Sequence, residues 1–420
     1  MYEQTKSNKI LGQAKEVIPF KFASNDESFS HSPFIARGRD SRIVDVDNNS
    51  YIDYVCSDGN LILGHANYRV VSAIRDIALN GFAFDAPYPL EVELARLISE
   101  TVPSVEQVLF VNSAQEAQNT AVRIARAYTR KDYIIQIFPD RKFHEATIEK
   151  HEGSAEFPNP KNKNFGIPFS TSNLTLFAKY NDIKFVEKLI KTHKEKIAAI
   201  IVEPIPTYPY FMLPDKTFLS NLRNCAKAND ILLVFNEIKS GFRISLGGAQ
   251  ALLEAKPDLT IFGSLIGGGL PLGALGGKHK LMNLTNFTRS DFQHHVASSP
   301  LSLAAGIETI KELLKPDTYT KLEDLGQHLE NGFNWIKNEL ALPLEIKRIG
   351  SLFSLSFPIQ KLPLFKTSSY KFYSKMLSLG HYIPIQNSRP WYVSLAHTKK
   401  EIESTVDAAN ETLGNLSILS

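Results

Sequence analysis

An α/β fold built on a mostly parallel sheet is predicted for this 420-residue chain by three observations. Helical and strand-like segments alternate from about residue 65 to about residue 300, the pattern of strands joined by crossover helices. The strand-like segments are continuously apolar rather than alternating, as strands covered on both faces are. Hydrophobic residues make up 43% of the chain, enough at this length for a substantial core and for two domains.

The elements can be justified in order. Residues 41–55, "RIVDVDNNSYIDYV" within them, alternate apolar and polar side chains around the turn formers Asp47, Asn48 and Asn49 and predict a short β element. A helix is expected over 91–102 ("EVELARLISETV"), a strand over 108–112 ("VLFVN") and a helix over 114–129 ("AQEAQNTAVRIARAYT"). Strands "YIIQIF", "IAAIIVEP" and "ILLVFNE" follow from residues 133, 197 and 231. The segment 151–172 has Pro, Gly, Asn and Lys in place of an apolar period and reads as a long loop of the lid or binding kind. From "SLAAGIETIKELL" onward helix and strand return, ending in a helix over 399–414, and this tail reads as a second, smaller domain.

Composition removes several function classes. Lys and Arg number 47 against 44 Asp and Glu, a net charge of +3, and no basic cluster stands out, so no nucleic-acid partner is expected. The richest run, "KLIKTHKEK" at 188–196, reads as a solvated helix face. Cys56 and Cys225 are the only cysteines, without ligand or redox spacing, which predicts no metal site and a reducing, cytoplasmic setting. Apolar runs such as "IAAIIV" are too short to span a bilayer and "MYEQTKSNKI" lacks a signal-peptide core, so neither membrane nor export is expected.

The stretch "DLTIFGSLIGGGLPLGA", residues 258–274, is the most informative. An apolar strand ends at Ser264 and three glycines and a proline follow, so side chains sit at a strand end beside an open backbone, where α/β proteins keep their chemistry. The glycines lack the G-x-G-x-x-G spacing of a dinucleotide fold.

Together with "DVDNNSYIDYV", "LILGHA", "VLFVNSAQEAQNTAVRIARAYT", "AAIIVEP", "FNEIKSGFRISLGGAQ" and "YVSLAHT", this stretch resembles, in order and spacing, the class III aminotransferases, the glutamate semialdehyde aminomutase branch most of all. The resemblance runs from about residue 30 to the end. It implies the pyridoxal-phosphate fold type I, with a mostly parallel seven-stranded sheet in a large domain and a small α+β domain. The division it suggests is an N-terminal segment 1–64 belonging to the small domain, a large cofactor-type domain 65–300 and a C-terminal small domain 301–420. It also implies a homodimer with sites at the subunit interface.

The resemblance implies a Schiff-base lysine before the glycines, where this chain has Ser264, and a hydroxyl forms no imine. It implies an aspartate that keeps the cofactor's ring nitrogen protonated, where Asn236 supplies a neutral amide. A Gly-Thr pair of the phosphate turn corresponds to Ala114-Gln115 after Ser113, and a phosphate-binding Thr from the neighbouring subunit corresponds to His295. The ring-stacking aromatic and its following His correspond to Phe143 and His144. Glu203, Ile238 against one ring face, Ser57 near the entrance and Arg243 are retained.

Ser264 has no G-x-S-x-G turn to activate it, and its plainer reading is a small residue left after the lysine. Lys239 could carry a relocated Schiff base, although Glu237 beside it opposes the lowered pKa such a lysine needs, and an ordinary loop lysine is the plainer reading. Adjacent His294 and His295 diverge and lack a third ligand, so general acid–base work suits them better than a metal. The expected function is an enzyme independent of pyridoxal phosphate, acting on a small polar metabolite in the old pocket, with His144, Glu203, Lys239, Ser264 and His295 as catalytic candidates. The cofactor-type pocket would comprise Ser113, Ala114, Gln115, Phe143, Asn236 and Ile238. No covalent cofactor is expected; the aldehyde or amine form (pyridoxal or pyridoxamine phosphate) bound weakly without a covalent bond, or through another lysine, is one alternative, and a catalytically silent regulatory or scaffolding paralogue is the other.

Overall fold

Strands that are apolar on both faces need helices on both sides, and the chain supplies them in alternation. The computed structural model describes residues 5–18, 33–84, 86–139, 173–208, 211–286, 298–357, 365–385 and 389–417. The chain begins with helix α1 (Thr5–Val17) and strands β1 (Ile35–Arg39), β2 (Arg42–Asp45) and β3 (Ser50–Asp53). Helices α2 (Tyr68–Ala78) and α3 (Pro89–Thr101) lead to β4 (Gln107–Val111), α4 (Ala114–Thr129) and β5 (Tyr133–Phe138). Next come β6 (Thr175–Lys179), α5 (Ile183–Thr192), β7 (Ile197–Val202), α6 (Phe218–Ala228), β8 (Leu232–Asn236), β9 (Leu259–Phe262) and β10 (Gly273–Gly277). Helices α7 (Pro300–Leu313) and α8 (Thr318–Glu339), strands β11 (Glu345–Ile349) and β12 (Leu352–Ser356) and helix α9 (Phe365–Ser378) follow. Strands β13 (His381–Tyr382) and β14 (Pro390–Tyr392) and helix α10 (Lys399–Ser417) end the described chain.

The chain divides into two compact units, one of residues 73–313 and one of residues 1–72 with 314–420. Residues 300–313 fall in the larger unit, where α7 packs on α3 and on the glycine turn. That unit holds a seven-stranded sheet in the order β4-β10-β9-β8-β7-β5-β6, in which only β10 runs antiparallel to its neighbours. All six residues of β7 are buried. On one face Ile200, Val202, Leu233 and Phe235 meet Val186 and Ile190 of α5 and Phe218 and Leu222 of α6. On the other, Ala199, Ile201, Val234 and Ile261 meet Ala117, Ala121 and Ile124 of α4.

Helix starts are set by local chemistry. The Glu116 N–H donates to Ser113 Oγ (3.2 Å) and the Asn112 N–H to the Glu116 carboxylate (2.8 Å), a reciprocal cap that fixes where α4 begins. Asp182 caps α5 by accepting from the Phe185 N–H at 3.0 Å. That helix ends at Thr192, so the solvated helix face expected over 188–196 stops short; residues 194–196 are exposed but lie in a turn where Glu195 takes a positive φ of 63°. The long loop expected at 151–172 lies outside the described residues.

The smaller unit has two sheets, β1-β2-β3-β13 and β11-β12-β14, with β13 added parallel to β3. Its core gathers Tyr51, Tyr54, Phe333, Phe353 and Trp391. Trp391 packs edge-on to Phe333 and Phe353 with centroids 5.4 and 5.7 Å apart. Among the described residues no helix is long and apolar enough to cross a membrane.

Two glycines give a direct packing test. A Cβ at Gly306 of α7 would collide with the Ile266 carbonyl oxygen, whereas one at Gly414 of α10 would meet nothing within 4 Å. Gly306→Ala is therefore expected to lose about 2 kcal/mol by overpacking, and Gly414→Ala to gain about 0.5 kcal/mol by reducing unfolded-chain entropy. Urea midpoints check both, and equal shifts of one sign would sink the packing account.

Candidate active site

Six of the seven strands run in one direction, so the residues just beyond their carboxyl ends share one edge of the sheet. Ser113 follows β4, Glu203 follows β7, Asn236 ends β8 and Ser264 follows β9 by two residues. Antiparallel β10 brings its first residue to the same edge: Gly273 pairs with Val111, and a Cβ there would collide with the Ser113 carbonyl. The turn that opens α4 and the turn that carries Ser264 are thereby held together.

Asn236 pairs in register with Ile261 and stands two residues after Val234, which puts its side chain on the sheet face that α4 covers. The Ile238 N–H donates to Asn236 Oδ1 at 3.2 Å. Ile238 packs against the same core face, and a Cβ at Gly263 would lie 2.7 Å from its Cγ2, so Ile238 abuts the backbone that precedes Ser264. Ser264 opens a 3₁₀ turn over Ser264–Gly267 and is half-buried; its hydroxyl makes no hydrogen bond among the described residues. Gly268 is explained by α7: it has φ +63°, and a Cβ there would lie 2.9 Å from the Ala305 carbonyl oxygen. Close backbone packing on a helix, rather than on a cofactor, requires that residue.

Ala114 and Gln115 form the first turn of α4, whose amides face outward as every helix start's do. The Gln115 side chain is exposed and donates to Asn119 Oδ1 at 3.1 Å, lying along the helix instead of closing over the turn. Glu203 is half-buried and accepts from the Thr207 N–H at 3.0 Å, which bends the chain after β7. Lys239 is half-buried in the turn after β8. Arg243, on the same connection, is fully buried. Ser57 belongs to the smaller unit and sits in a turn where Cys56, Ser57 and Asp58 all take positive φ, a strained run stabilised by Asp53 Oδ1, which accepts from the Val55 and Cys56 N–H groups. Phe143, His144, His294 and His295 lie outside the described residues.

The sequence reading missed the group behind the site. Glu237 is 1% exposed. Its carboxylate accepts from the Ser240 hydroxyl (3.0 Å), the Ala249 N–H (2.6 Å), the Gln250 N–H (3.1 Å) and Gln250 Nε2 (3.0 Å). Gln250 continues to Thr260 Oγ1 and takes the Ser104 N–H, so three segments are tied through one buried network. Burial pushes the Glu237 carboxyl above its ordinary pKa while these donors pull it back. A charged residue ending an apolar strand run was the available signal. With its carboxylate taken up by these donors, Glu237 supports the turn that bears Asn236, Ile238 and Lys239.

The aminotransferase class-III family model matches residues 23–400. The chain belongs to this family. Class-III relatives include glutamate-1-semialdehyde 2,1-aminomutase of Sulfurihydrogenibium azorense, 37% identical over 98% of this chain and 97% of the relative. Glutamate-1-semialdehyde 2,1-aminomutase 2 of Brevibacillus brevis is 38% identical over 97% and 98% of the two chains. Among solved class-III-like structures, an omega-transaminase from Sphaerobacter thermophilus superposes with a TM-score of 0.84 at 29% identity, covering 97% of each chain. A transaminase with pyridoxal phosphate bound superposes with a TM-score of 0.86 at 25% identity, covering 100% of this chain and 99% of the other. The fold is thus the fold type I architecture that the motifs imply.

A cofactor attached through residue 264 does not fit the side chains present. Ser264 offers a hydroxyl, which forms no imine, and Asn236 offers a neutral amide whose oxygen accepts from the Ile238 N–H. Among the described residues no group of three His, Cys, Asp or Glu side chains could hold a metal ion.

Proposed function

We propose that this class-III aminotransferase relative works without a Schiff base at position 264, taking a small polar, phosphate- or carboxylate-bearing metabolite at the carboxyl edge of its large sheet. The observation that carries this reading is the Ser264 hydroxyl, half-buried at the end of β9 and next to the Asn236–Ile238 turn. The amides of the α4 first turn suit the anionic end of such a ligand. Acid–base work falls to Glu203 or Lys239 of this edge, or to His144 and His295. The protein functions as a homodimer, in the cytoplasm.

A second reading is favoured by the relatives' names: an aminomutase-like or transaminase-like reaction that uses pyridoxal or pyridoxamine phosphate held without a bond to residue 264, or through Lys239. The two are separated by adding pyridoxal phosphate to purified wild type and to Ser264→Lys. Wild type is expected to stay colourless and to gain no mass on borohydride treatment. Ser264→Lys is expected to turn yellow, to bleach with borohydride and to carry the added mass on residue 264. A yellow wild type with the mass on Lys239 or another lysine would overturn the first reading in favour of the second. A third possibility, a silent partner of a related enzyme, would appear as capture of an intact-lysine relative in mixed dimers.

A further inference from the structure

Helices α5 and α6 touch each other on the face of the large sheet opposite to α4, and a groove runs between them. Two adjoining hollows of about 560 and 490 Å³ make it up, sharing Ile190, Ala228 and Asn229. Its floor is apolar: Ile190 belongs to the core below, Ile183 and Cys225 pack on that core, and Ala228 is exposed. Partial burial pushes the Cys225 thiol above its ordinary pKa, so it lines the floor uncharged. The two banks differ. On the α6 side stand the exposed amides of Asn221 and Asn224. On the α5 side Lys184, Lys188 and Lys191 recur at helical spacing and form one exposed stripe, with the single carboxylate of Glu187 beside it. Among the described residues none of these three lysines has a carboxylate partner. At the far end Lys131 and Lys194 meet Glu195 and Asp230, and Lys131 donates to the Asn229 and Asp230 carbonyls at 3.2 and 3.0 Å. The unbalanced charge of the groove therefore lies along α5.

We infer that this groove is a docking surface for an acidic amphipathic helix of a partner protein, its apolar residues seated over Ile183, Ile190 and Ala228 and its carboxylates along the α5 lysines. The charge pattern selects that occupant: three lysines on one bank and neutral amides on the other match a helix with acid on one side of its apolar face. A bilayer surface needs apolar side chains that protrude, and those of this groove are recessed between two helices. A nucleic-acid strand would meet the lysines but find no aromatic ring along the floor on which to stack its bases. Helix α5 has 10 residues and is about 15 Å long, so the occupant needs about three turns. The groove lies on the other side of the sheet from Asn236, and docking there does not depend on the chemistry at the carboxyl edge.

The test titrates full-length protein into a fluorescein-labelled synthetic peptide of about 15 residues, with leucines at every third or fourth position and glutamates between them. Fluorescence anisotropy reads the binding. Two control peptides carry the same residues in scrambled order, or lysine for every glutamate. Wild type is expected to bind the first peptide about tenfold more tightly than either control. Exchanging the three lysines together (Lys184→Glu, Lys188→Glu, Lys191→Glu) is expected to weaken that binding about tenfold. Ala228→Gln, which fills the floor with a longer neutral side chain, is expected to weaken it by a comparable factor, while circular dichroism shows both variants folded. Equal binding of the scrambled peptide, or binding that survives unchanged in either variant, would overturn the inference. So would binding of no peptide, the result if a second copy or another segment of this chain occupies the groove. Lysine-dependent flotation of the protein with vesicles of phosphatidylcholine and phosphatidylserine would overturn it in favour of a membrane site.

Discussion

Glu237→Ala is expected to destabilise the larger unit by about 4 kcal/mol, because it removes the shared acceptor of four buried neutral donors. Truncation leaves the Ala249 and Gln250 N–H groups buried and facing a void, and each orphaned backbone donor costs about 1–3 kcal/mol. Glu237→Gln is expected to lose a comparable amount despite keeping the shape. Each carboxylate oxygen now accepts two donors, so whichever terminal atom becomes NH₂ is set against two N–H or O–H groups. Urea unfolding of both variants provides the measurement. A Glu237→Gln protein within about 1 kcal/mol of wild type would show that the network is rearranged rather than broken.

Acid is expected to unfold the smaller unit through His381. The ring is 3% exposed on β13, and its Nδ1–H donates to Thr405 Oγ1 at 3.0 Å. The Thr405 hydroxyl donates to the Glu401 carbonyl and its oxygen also accepts from the Tyr54 hydroxyl, which leaves Nδ1 the protonated nitrogen of the neutral ring. Burial, with Arg42 adding to it, lowers the His381 pKa from 6.5 to about 4. A folded-state pKa below the unfolded value means that the unfolded chain takes up the proton first. The stability contribution is therefore fully present above pH 6.5 and is lost as pH falls from there toward 4, amounting to about 3 kcal/mol at the low end. His381→Gln, which keeps a donor for Thr405, is expected to flatten this slope. Fluorescence of the buried Trp391 during urea unfolding at pH 7 and at several values down to about 4.5 measures it. Parallel pH profiles for variant and wild type would remove His381 as the cause.

The parallel architecture could be read from "YIIQIF", "IAAIIV" and "ILLVF" because a strand covered on both faces has no room for polar residues. The antiparallel entry of β10 could not, since its five residues "GALGG" carry almost no side-chain pattern and their direction is set by pairing with β4 and β9. At the site, the resemblance brought Ser113, Asn236, Ile238 and Ser264 into view, and their common edge follows once six strands run the same way. The orientation of the Asn236 amide depends on one backbone N–H two residues along, which no residue pattern reveals. The Glu237 network was equally hidden, because Ser104, Gln250 and Thr260 meet it only through the tertiary packing of distant segments. The lysine run at 188–196 misled in a small way: its charge pattern continues past the point where the backbone leaves the helix.

The common edge of the strands also bears on which positions the fold leaves free to vary. Asn236, Ser264, Ala114 and Gln115 each stand at or beyond the last core residue of the strand, or before the first core residue of the helix, that positions them. Exchanging side chains there leaves Val234, Ile261 and Ala117 in their contacts. The side chains along this edge and the packing of the core are consequently nearly separable in this molecule, and laboratory variants at the same four positions start from an intact scaffold.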